Sequence, residues 1–417
     1  MNSSGSFGKG PNGLCADLQV EAAHKEQPRV VGRGEGGPNV SNLTLPRSVS
    51  GDAMYVKRIE WIDLVKACSV LLVVFMHATN LMADLAGDTA VAGFLRAFNA
   101  VVEPLRMPVF FLVSGMLAAS AIHRPWRSST TRTTGMVYLY VVWMALFIGF
   151  QALLGISTPE PVLAVLFAKS GYWYLYAMAL FFVIARVLRS QPAWVVVAIA
   201  LLPNLLRPAV DAVVADTVPG ALYTSMAMNL CFFLLGAYFK PVVAGIAARA
   251  TWLHTLVLGA IALPFAIWWM TNPALAGLTY FPVSVLLLAF GISLAVQVTR
   301  DGAPAWAGYL GVRTLPIYVW QWPVIFLAAA VVPNWALGHP LAQVGFPLGI
   351  TALVALTAVW LHKQPSFRHF FTAPSWILSP YVRIAPAATP SPRAASVGNV
   401  ATCRMPQRDT TARAPKQ

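Results

Sequence analysis

The amino-acid sequence predicts an all-α, polytopic integral membrane protein with about ten transmembrane helices. Two features of the composition support this prediction: 58% of the 417 residues are hydrophobic, and only 11% are charged. A soluble domain of this length needs a larger charged fraction to cover its surface. The third observation is that apolar runs of about 18 or more residues, the length that crosses a bilayer as a helix, recur along the chain.

The apolar runs define ten predicted spans. Their approximate bounds are 60–82, 104–122, 135–155, 172–188, 192–207, 225–243, 252–271, 279–298, 313–332 and 340–362. The fifth span is short and contains Pro203, which disrupts the interior of a helix.

The distribution of Lys and Arg predicts that both termini lie in the cytoplasm. One set of connections carries nine of these residues: Arg124, Arg127, Arg132, Arg186, Arg189, Lys240, Arg249, Arg300 and Arg313. The opposite connections carry four: Arg96, Arg106, Lys169 and Arg207. Both tails fall on the nine-residue side, as an even number of spans requires. We therefore expect a multi-pass protein of the cell membrane, of the bacterial inner or plasma membrane type.

Composition divides the chain into three regions. Residues 1–54 are rich in Gly, Ser, Asn and charge, which predicts a disordered cytoplasmic tail. Residues 55–362 form the predicted membrane domain. Residues 363–417 are rich in Pro, Ala and Arg and predict a second disordered cytoplasmic tail.

The net charge of +14 lies mainly in the tails and short loops, so it fits contact with membrane lipid and not with nucleic acid. The four cysteines are scattered without metal-ligand or disulfide spacing, and we expect no metal site.

The first predicted span carries three ionisable residues, Asp63, Lys66 and His77. At 100° per residue, Lys66 lies about 20° from His77 around the helix, and Asp63 about 40° on the other side. All three therefore share one face, which should line a hydrated cavity because a buried charge in hydrocarbon costs at least ~2.5–3.5 kcal/mol. Asp63 and Lys66 alone also fit an interfacial ion pair with a snorkelling lysine. His77 alone also fits a residue that bridges helices.

The stretch that contains these residues resembles the first helix of the membrane acyltransferase-3 family. That family has a basic residue, ten residues and then a histidine, which Lys66 and His77 match, and a start that Trp61-Ile62-Asp63 matches. Four further segments resemble the family in order: Met107–Gly115 (MPVFFLVSG), Tyr172–Tyr176 (YWYLY), Phe232–Tyr238 (FFLLGAY) and Leu315–Val324 (LPIYVWQWPV). The resemblance covers residues 55–362. It departs from the family at Gln321, commonly a histidine, and at the Arg-x-x-Arg pair, which Arg124 and Arg127 supply slightly early.

The resemblance implies transfer of an acyl group, often acetyl, from a coenzyme A thioester to a hydroxyl of an envelope sugar or glycolipid. Acyl-CoA would be a co-substrate, and no permanently bound cofactor is expected. An imidazole, with an ordinary pKa of ~6.5, suits proton transfer near neutral pH, so His77 is the expected base. Asp63 and Lys66 complete the catalytic face, with Lys66 also placed to bind the donor.

Further residues are candidates for binding the donor or the substrate, but their residue types alone point less specifically to function. Arg124, Arg127 and Arg132 could clamp the donor phosphates, although orientation bias explains any one of them. The substrate-binding candidates are Ser114, Trp173, Tyr176, Tyr318 and Gln321, of which Tyr318 and Gln321 are plausible polar groups of the cavity without an assigned role. Helix packing is the alternative for Ser114, and an aromatic belt for the two residues of YWYLY. A transporter of a small polar solute is the competing function, but it predicts a second copy of the Asp–Lys–His row, which the sequence lacks.

Overall fold

The structure, a computed structural model, describes residues 59–382 apart from 157, 159, 208 and 210–217. The described part contains helices and no strands, which confirms the all-α prediction. The predicted tail 1–54 and the part of the second tail after residue 382 lie outside the described residues.

Sixteen α-helices follow one another along the described chain. They are α1 (Glu60–Ala86), α2 (Ala90–Ile122), α3 (Trp126–Leu153), α4 (Pro161–Leu166), α5 (Trp173–Val187), α6 (Ala193–Leu205), α7 (Val218–Tyr238), α8 (Lys240–Ala248), α9 (Trp252–Thr271), α10 (Pro273–Val298), α11 (Ala305–Gly311), α12 (Thr314–Val331), α13 (Asn334–Gly338), α14 (Pro340–Lys363), α15 (Arg368–Phe371) and α16 (Ser375–Val382). Two short 3-10 turns, Leu188–Ser190 and Pro365–Phe367, connect neighbouring helices.

Eight of these helices are long and apolar enough to cross a membrane, which makes the chain a polytopic membrane protein. A ninth span results if α7 and α8, bent by 81° relative to each other, count as one. Helix α6 has 13 residues and is about 20 Å long, shorter than the ~30 Å hydrocarbon core. Each predicted span overlaps a helix, and the number of crossings remains a prediction.

Two predicted boundaries differ from the structure in a way that matters for the site. Helix α2 begins at Ala90, well before the predicted start at residue 104, so Arg106 is an interior residue of this helix. The prediction that Arg106 belongs to a connection is wrong. Arg186 likewise lies within α5 and not in a connection. The predicted span 225–243 crosses the sharp bend after α7.

Helix α1 packs against α2, α10, α11, α12 and α14, so its predicted polar face lies inside the bundle. The neighbouring contact between α2 and α7 depends on two glycines. A Cβ atom at Gly115 would overlap the carbonyl oxygen of Phe233, and one at Gly236 would overlap that of Leu112. The two backbones therefore touch directly, as small residues allow in membrane helices.

The connection between α3 and α5 folds back along the bundle. Tyr140, thirteen residues or about 20 Å before the end of α3, donates its hydroxyl to the carbonyl of Val165 in α4, at 2.5 Å. Glu160 and Ala168 bracket α4 with φ values of 49° and 52°, in the left-handed region that few side chains favour. We name residues 160–172 the fold-back segment.

The chain after α14 also packs on α3. Trp143 Nε1 donates to the carbonyl of Phe370 at 2.6 Å, and Phe371 is buried. The structure thus differs from the predicted disordered tail over residues 365–382, where it has short helices. The Pro-, Ala- and Arg-rich composition that predicted disorder describes the end of the chain, and its average hides the apolar pair Phe370–Phe371.

Candidate active site

Asp63 and Lys66 lie near the start of α1, where their side chains form an ion pair with Nζ 3.9 Å from Oδ1. Asp63 is buried, and Lys66 is partly buried. Helix α11 presses on the backbone here, since a Cβ atom at Gly311 would overlap the main chain of Asp63. The ion pair matches the simpler of the two interpretations for these residues.

An open cavity of about 570 Å³ lies at the same end of the bundle. Its lining includes Glu60 and Trp61 of α1 together with Gln297 and Arg300 at the end of α10. The cavity lies seventeen residues before His77 along α1, about 25 Å by helix rise. It belongs to the start of α1 and is separate from the centre around His77.

His77 lies eleven residues after Lys66, about 16 Å further along α1. Its ring contacts the indole of Trp322 on α12, with the ring centroids 4.6 Å apart. Trp322 also packs against Phe147 on α3 and Phe326, so the tryptophan is held from several sides. Helices α1, α3 and α12 therefore meet at His77.

Sequence reasoning missed Trp322, although a signal was present. Tyr318 and Trp322 are four residues apart and thus share a face of α12. A Cβ atom at Gly171 would overlap the indole of Trp322, so the missing side chain at Gly171 makes room for the tryptophan. The indole nitrogen has no hydrogen-bond partner among the described residues.

The predicted substrate-binding residues Ser114 and Tyr318 come together through a third residue, Tyr174. The Ser114 and Tyr174 hydroxyl oxygens are 2.8 Å apart, and the Tyr174 and Tyr318 rings are 5.3 Å apart. Tyr318 in turn donates its hydroxyl to the carbonyl of Gly171 at 2.7 Å. Ser114 thus bonds to Tyr174, whose ring packs edge-on against that of Tyr318, and the close helix packing is made by its neighbour Gly115.

The other two aromatic candidates face different helices. The ring of Trp173 packs on Phe111 of α2, with centroids 5.9 Å apart, and Tyr176 packs edge-on against Tyr140 of α3 at 5.5 Å. These contacts fit helix packing, so the structure brings neither of them to His77.

Gln321 is completely buried on α12, between Tyr318 and Trp322. Neither its amide nitrogen nor its amide oxygen has a hydrogen-bond partner among the described residues. An unpaired buried amide is costly, so this side chain has donor and acceptor capacity that a polar substrate could use.

The predicted donor-binding arginines lie where α2 passes into α3. The guanidinium of Arg132 lies 5.5 Å from the ring centre of Phe182, and it interacts electrostatically with both Tyr174 and Arg124. It therefore reaches from the end of the bundle toward the Ser114–Tyr174 pair. Arg127 lies in the first turn of α3, and its side chain is outside the described residues.

Arg186, counted in the sequence as a connection charge, instead closes this junction. It donates to the carbonyls of Ala121 at 2.9 Å and Arg124 at 2.6 Å, which lie at the end of α2. Its guanidinium also lies 4.3 Å from the ring centre of Trp126. Carbonyls at a helix C-terminus lack intrahelical donors, and Arg186 supplies them.

Arg106 is the charged residue of the site that sequence reasoning missed. It is 5% exposed and interacts electrostatically with His77. Its sequence position in an apolar run was a signal for function, because intramembrane charges line functional sites. The late predicted start of the second span hid that signal, because Arg106 then lay at the edge of the span and was counted with the connections.

Comparison with known proteins gives one match. The family described as Acyltransferase domain (Acyl_transf_3) matches residues 59–361, most of the chain and nearly all of the predicted membrane domain. No curated protein and no solved structure matches. The match agrees with the segments that resemble this family around Lys66, His77 and Leu315–Val324. This chain therefore belongs to the acyltransferase-3 family of membrane acyltransferases.

Proposed function

We propose that this protein transfers an acyl group, most simply acetyl, from cytoplasmic acyl-CoA to a hydroxyl of an envelope carbohydrate or glycolipid. The observation that carries the proposal is the position of His77, inside the bundle against Trp322 and on the same helix face as Lys66. The family shows an acyltransferase. The donor, the acyl group and the acceptor are our inference.

His77 acts as the general base of this reaction. It takes the proton of the acceptor hydroxyl as the hydroxyl oxygen attacks the thioester carbonyl carbon. The tetrahedral intermediate then loses the carbon–sulfur bond, and the CoA thiolate leaves with a proton returned by the imidazolium. A positioned acid–base group of this kind contributes ~10²–10⁴-fold.

The charged groups at the start of α1 and α3 bind the donor. Lys66 lies about 16 Å from His77, a separation that the pantetheine arm of CoA can bridge. Arg132 interacts electrostatically with Tyr174 and with Arg124, and both arginines can meet the donor phosphates, because guanidinium groups match phosphate oxygens. Asp63 holds Lys66 through their ion pair.

Tyr318, Gln321 and Ser114 are the remaining polar groups of the proposed site. The unpaired amide of Gln321 suits a sugar hydroxyl or a pantetheine amide. Trp173 and Tyr176 were substrate-binding candidates by sequence, and their ring contacts with Phe111 and Tyr140 support a packing role instead.

The proposal is tested by mass spectrometry of envelope glycans and lipids. Cells that lack the protein are complemented with the native chain, with His77→Ala, or with His123→Gln as a control at an exposed position. We expect a mass difference of one acyl group that the native chain and the control restore and His77→Ala does not. Identical envelope masses with and without the protein would contradict the proposed acceptor class.

A further inference from the structure

Arg106 is a buried cation without a counter-ion in contact in the part of the chain that the structure describes. It is 5% exposed, and its Nη1 donates a long hydrogen bond of 3.5 Å to the carbonyl of Asn99. Its Nε has no partner among the described residues. Within the described ranges, no carboxylate oxygen lies within 4.0 Å of the guanidinium.

This arrangement is expensive for a membrane helix. A guanidinium has five N–H donors, and an ion taken out of water costs several kcal/mol unless partners replace the water. One long bond to a carbonyl replaces little of that hydration. The energetic deficit indicates that a further anionic partner belongs at this position.

Among the described residues, several polar and charged groups surround Arg106 at a distance. Arg106 interacts electrostatically with Glu103 one turn earlier, with Tyr280 on α10 and with His77. A second arginine, Arg207, places its guanidinium 4.6 Å from the ring centre of Tyr280 and also interacts with Glu103. Glu103 thus interacts with both arginines, and its own side chain is exposed.

We propose that Arg106 binds an anionic group, a phosphate ester or a carboxylate, that the acceptor carries near the hydroxyl to be acylated. This inference rests on the proposed acyl transfer at His77 and specifies its acceptor. The contact between the anion and Arg106 fixes the acceptor so that its hydroxyl meets the imidazole.

The direction of the Arg106 side chain assigns the anion to the acceptor and not to the donor. Side chains of a helix lean toward its N-terminus, and Arg106 reaches the carbonyl of Asn99, seven residues or about 10 Å back along α2. The donor arginines Arg124 and Arg132 lie beyond the other end of this helix. The part of acyl-CoA that reaches His77 is the uncharged thioester, so an anion at Arg106 comes with the second substrate.

The test is a binding measurement that needs no turnover. The full chain is placed in nanodiscs of uncharged phosphatidylcholine, saturated with CoA to occupy the donor site, and titrated calorimetrically. The probes are methyl glucoside, methyl glucuronide and glucose 1-phosphate, which share a sugar ring and differ in charge. We expect the two anionic probes to bind at least ~10-fold more tightly than the neutral one, as one charge-assisted contact provides. A preference for only one anion identifies which of the two the site takes.

Three variants test whether Arg106 is the residue that makes the anionic probes bind more tightly than the neutral one. Arg106→Gln should abolish this preference, and Arg106→Lys, which keeps the charge, should retain part of it. Arg96→Gln, at a half-exposed arginine of the same helix that pairs with Asp88, should leave it unchanged. Equal binding of charged and neutral probes by the native chain, binding of none of them, or an unchanged preference in Arg106→Gln overturns the proposal.

The outcome is separable from that of the proposed function. Loss of envelope acylation in His77→Ala speaks to the transfer reaction, whereas the charge preference of the probes speaks to Arg106. A protein that acylates neutral acceptors and ignores anions would keep the transferase and refute the anionic acceptor.

Discussion

His77 lies in a packed aromatic environment, whereas Lys66, eleven residues earlier on the same helix, lies in a long ion pair. At His77 the neighbouring ring of Trp322 is held by Phe147 and Phe326, and each contact is a close ring contact. At Lys66 the partner carboxylate is 3.9 Å away, at the limit of an ion pair. The two functional side chains on this helix face are thus held by different interactions: His77 by close ring packing, and Lys66 by electrostatic attraction.

The difference matches what two halves of an acyl transfer require. A proton-transfer group has to stay within hydrogen-bond reach of its target, because a 1 Å displacement costs up to ~10²-fold in rate. A polyphosphate can be held by charges over longer distances and in several geometries. Changes at the His77 end should therefore lower kcat, and changes at the Lys66 end should raise the KM for the donor.

The largest expected effect is that of His77→Gln. Glutamine keeps hydrogen bonding but takes up no proton at neutral pH. The kcat of acyl transfer, measured as the release of CoA in the presence of the acceptor, should therefore fall ~100-fold or more. A histidine that only bridges helices would tolerate glutamine. Purified His77→Gln protein in nanodiscs, with a thermal unfolding curve like that of the native chain and a native rate, would remove the base assignment.

Gly171→Ala comes next. The added methyl group would overlap the indole of Trp322 and displace it from His77, so kcat should fall about 10-fold to 100-fold with little change in the donor KM. Gly93→Ala is the matched control, because a Cβ atom there meets nothing within 4 Å. Steady-state kinetics give kcat and the donor KM of the two variants. Equal kcat values would mean that Trp322 does not position His77.

Lys66→Ala should change the KM for the acyl donor and not kcat. Loss of the ammonium removes a donor contact and leaves Asp63 without this partner, so the donor KM should rise about 10-fold at nearly constant kcat. Lys66→Arg keeps the charge and should retain most of the affinity. A fall in kcat with an unchanged KM would place Lys66 in the chemical step and break the comparison between the two ends.

The smallest expected effect is on stability. Tyr318→Phe removes the hydroxyl that binds the carbonyl of Gly171 and should lower the free energy of unfolding by about 1–3 kcal/mol, the cost of a buried unsatisfied group. Tyr223→Phe breaks a similar bond to Phe167, but Tyr223 is 36% exposed, so water can replace the hydroxyl and the loss should be smaller. Thermal unfolding in the same detergent compares the two variants, and the reverse order would contradict this account.

The sequence predicted the helices well because apolar length is a local property. All ten predicted spans contain a helix, from Glu60–Ala86 to Pro340–Lys363. The fold-back segment was not predicted, since α4 has only six residues and its place depends on contacts with distant helices. Its hydroxyl partners lie up to about 150 residues away along the chain, as in the pair of Tyr318 and Gly171.

For the site, helical periodicity correctly grouped residues within one helix and failed between helices. Asp63, Lys66 and His77 were placed on one face of α1, but the contact of Trp322 with His77 joins two helices far apart in sequence. Arg106 and Arg186 show the limit of charge counting. Both were assigned to connections, yet Arg186 caps the end of α2, and Arg106 is buried within α2 and interacts electrostatically with the candidate base.

The fold-back segment has a consequence for how this sequence can vary. Its carbonyls at Val165, Phe167 and Gly171 are each bound by a tyrosine hydroxyl, from Tyr140, Tyr223 and Tyr318 respectively. Only main-chain atoms of the segment take part in these bonds, so the bonds do not restrict the residue type at exposed positions such as Val162 and Leu166. Mutational tolerance should therefore be high at those positions. It should be low at Gly171, at the buried Tyr172, and at the distant Tyr140 and Tyr318, where phenylalanine looks conservative. The conformation of the fold-back segment is therefore specified largely by residues of the helices around it.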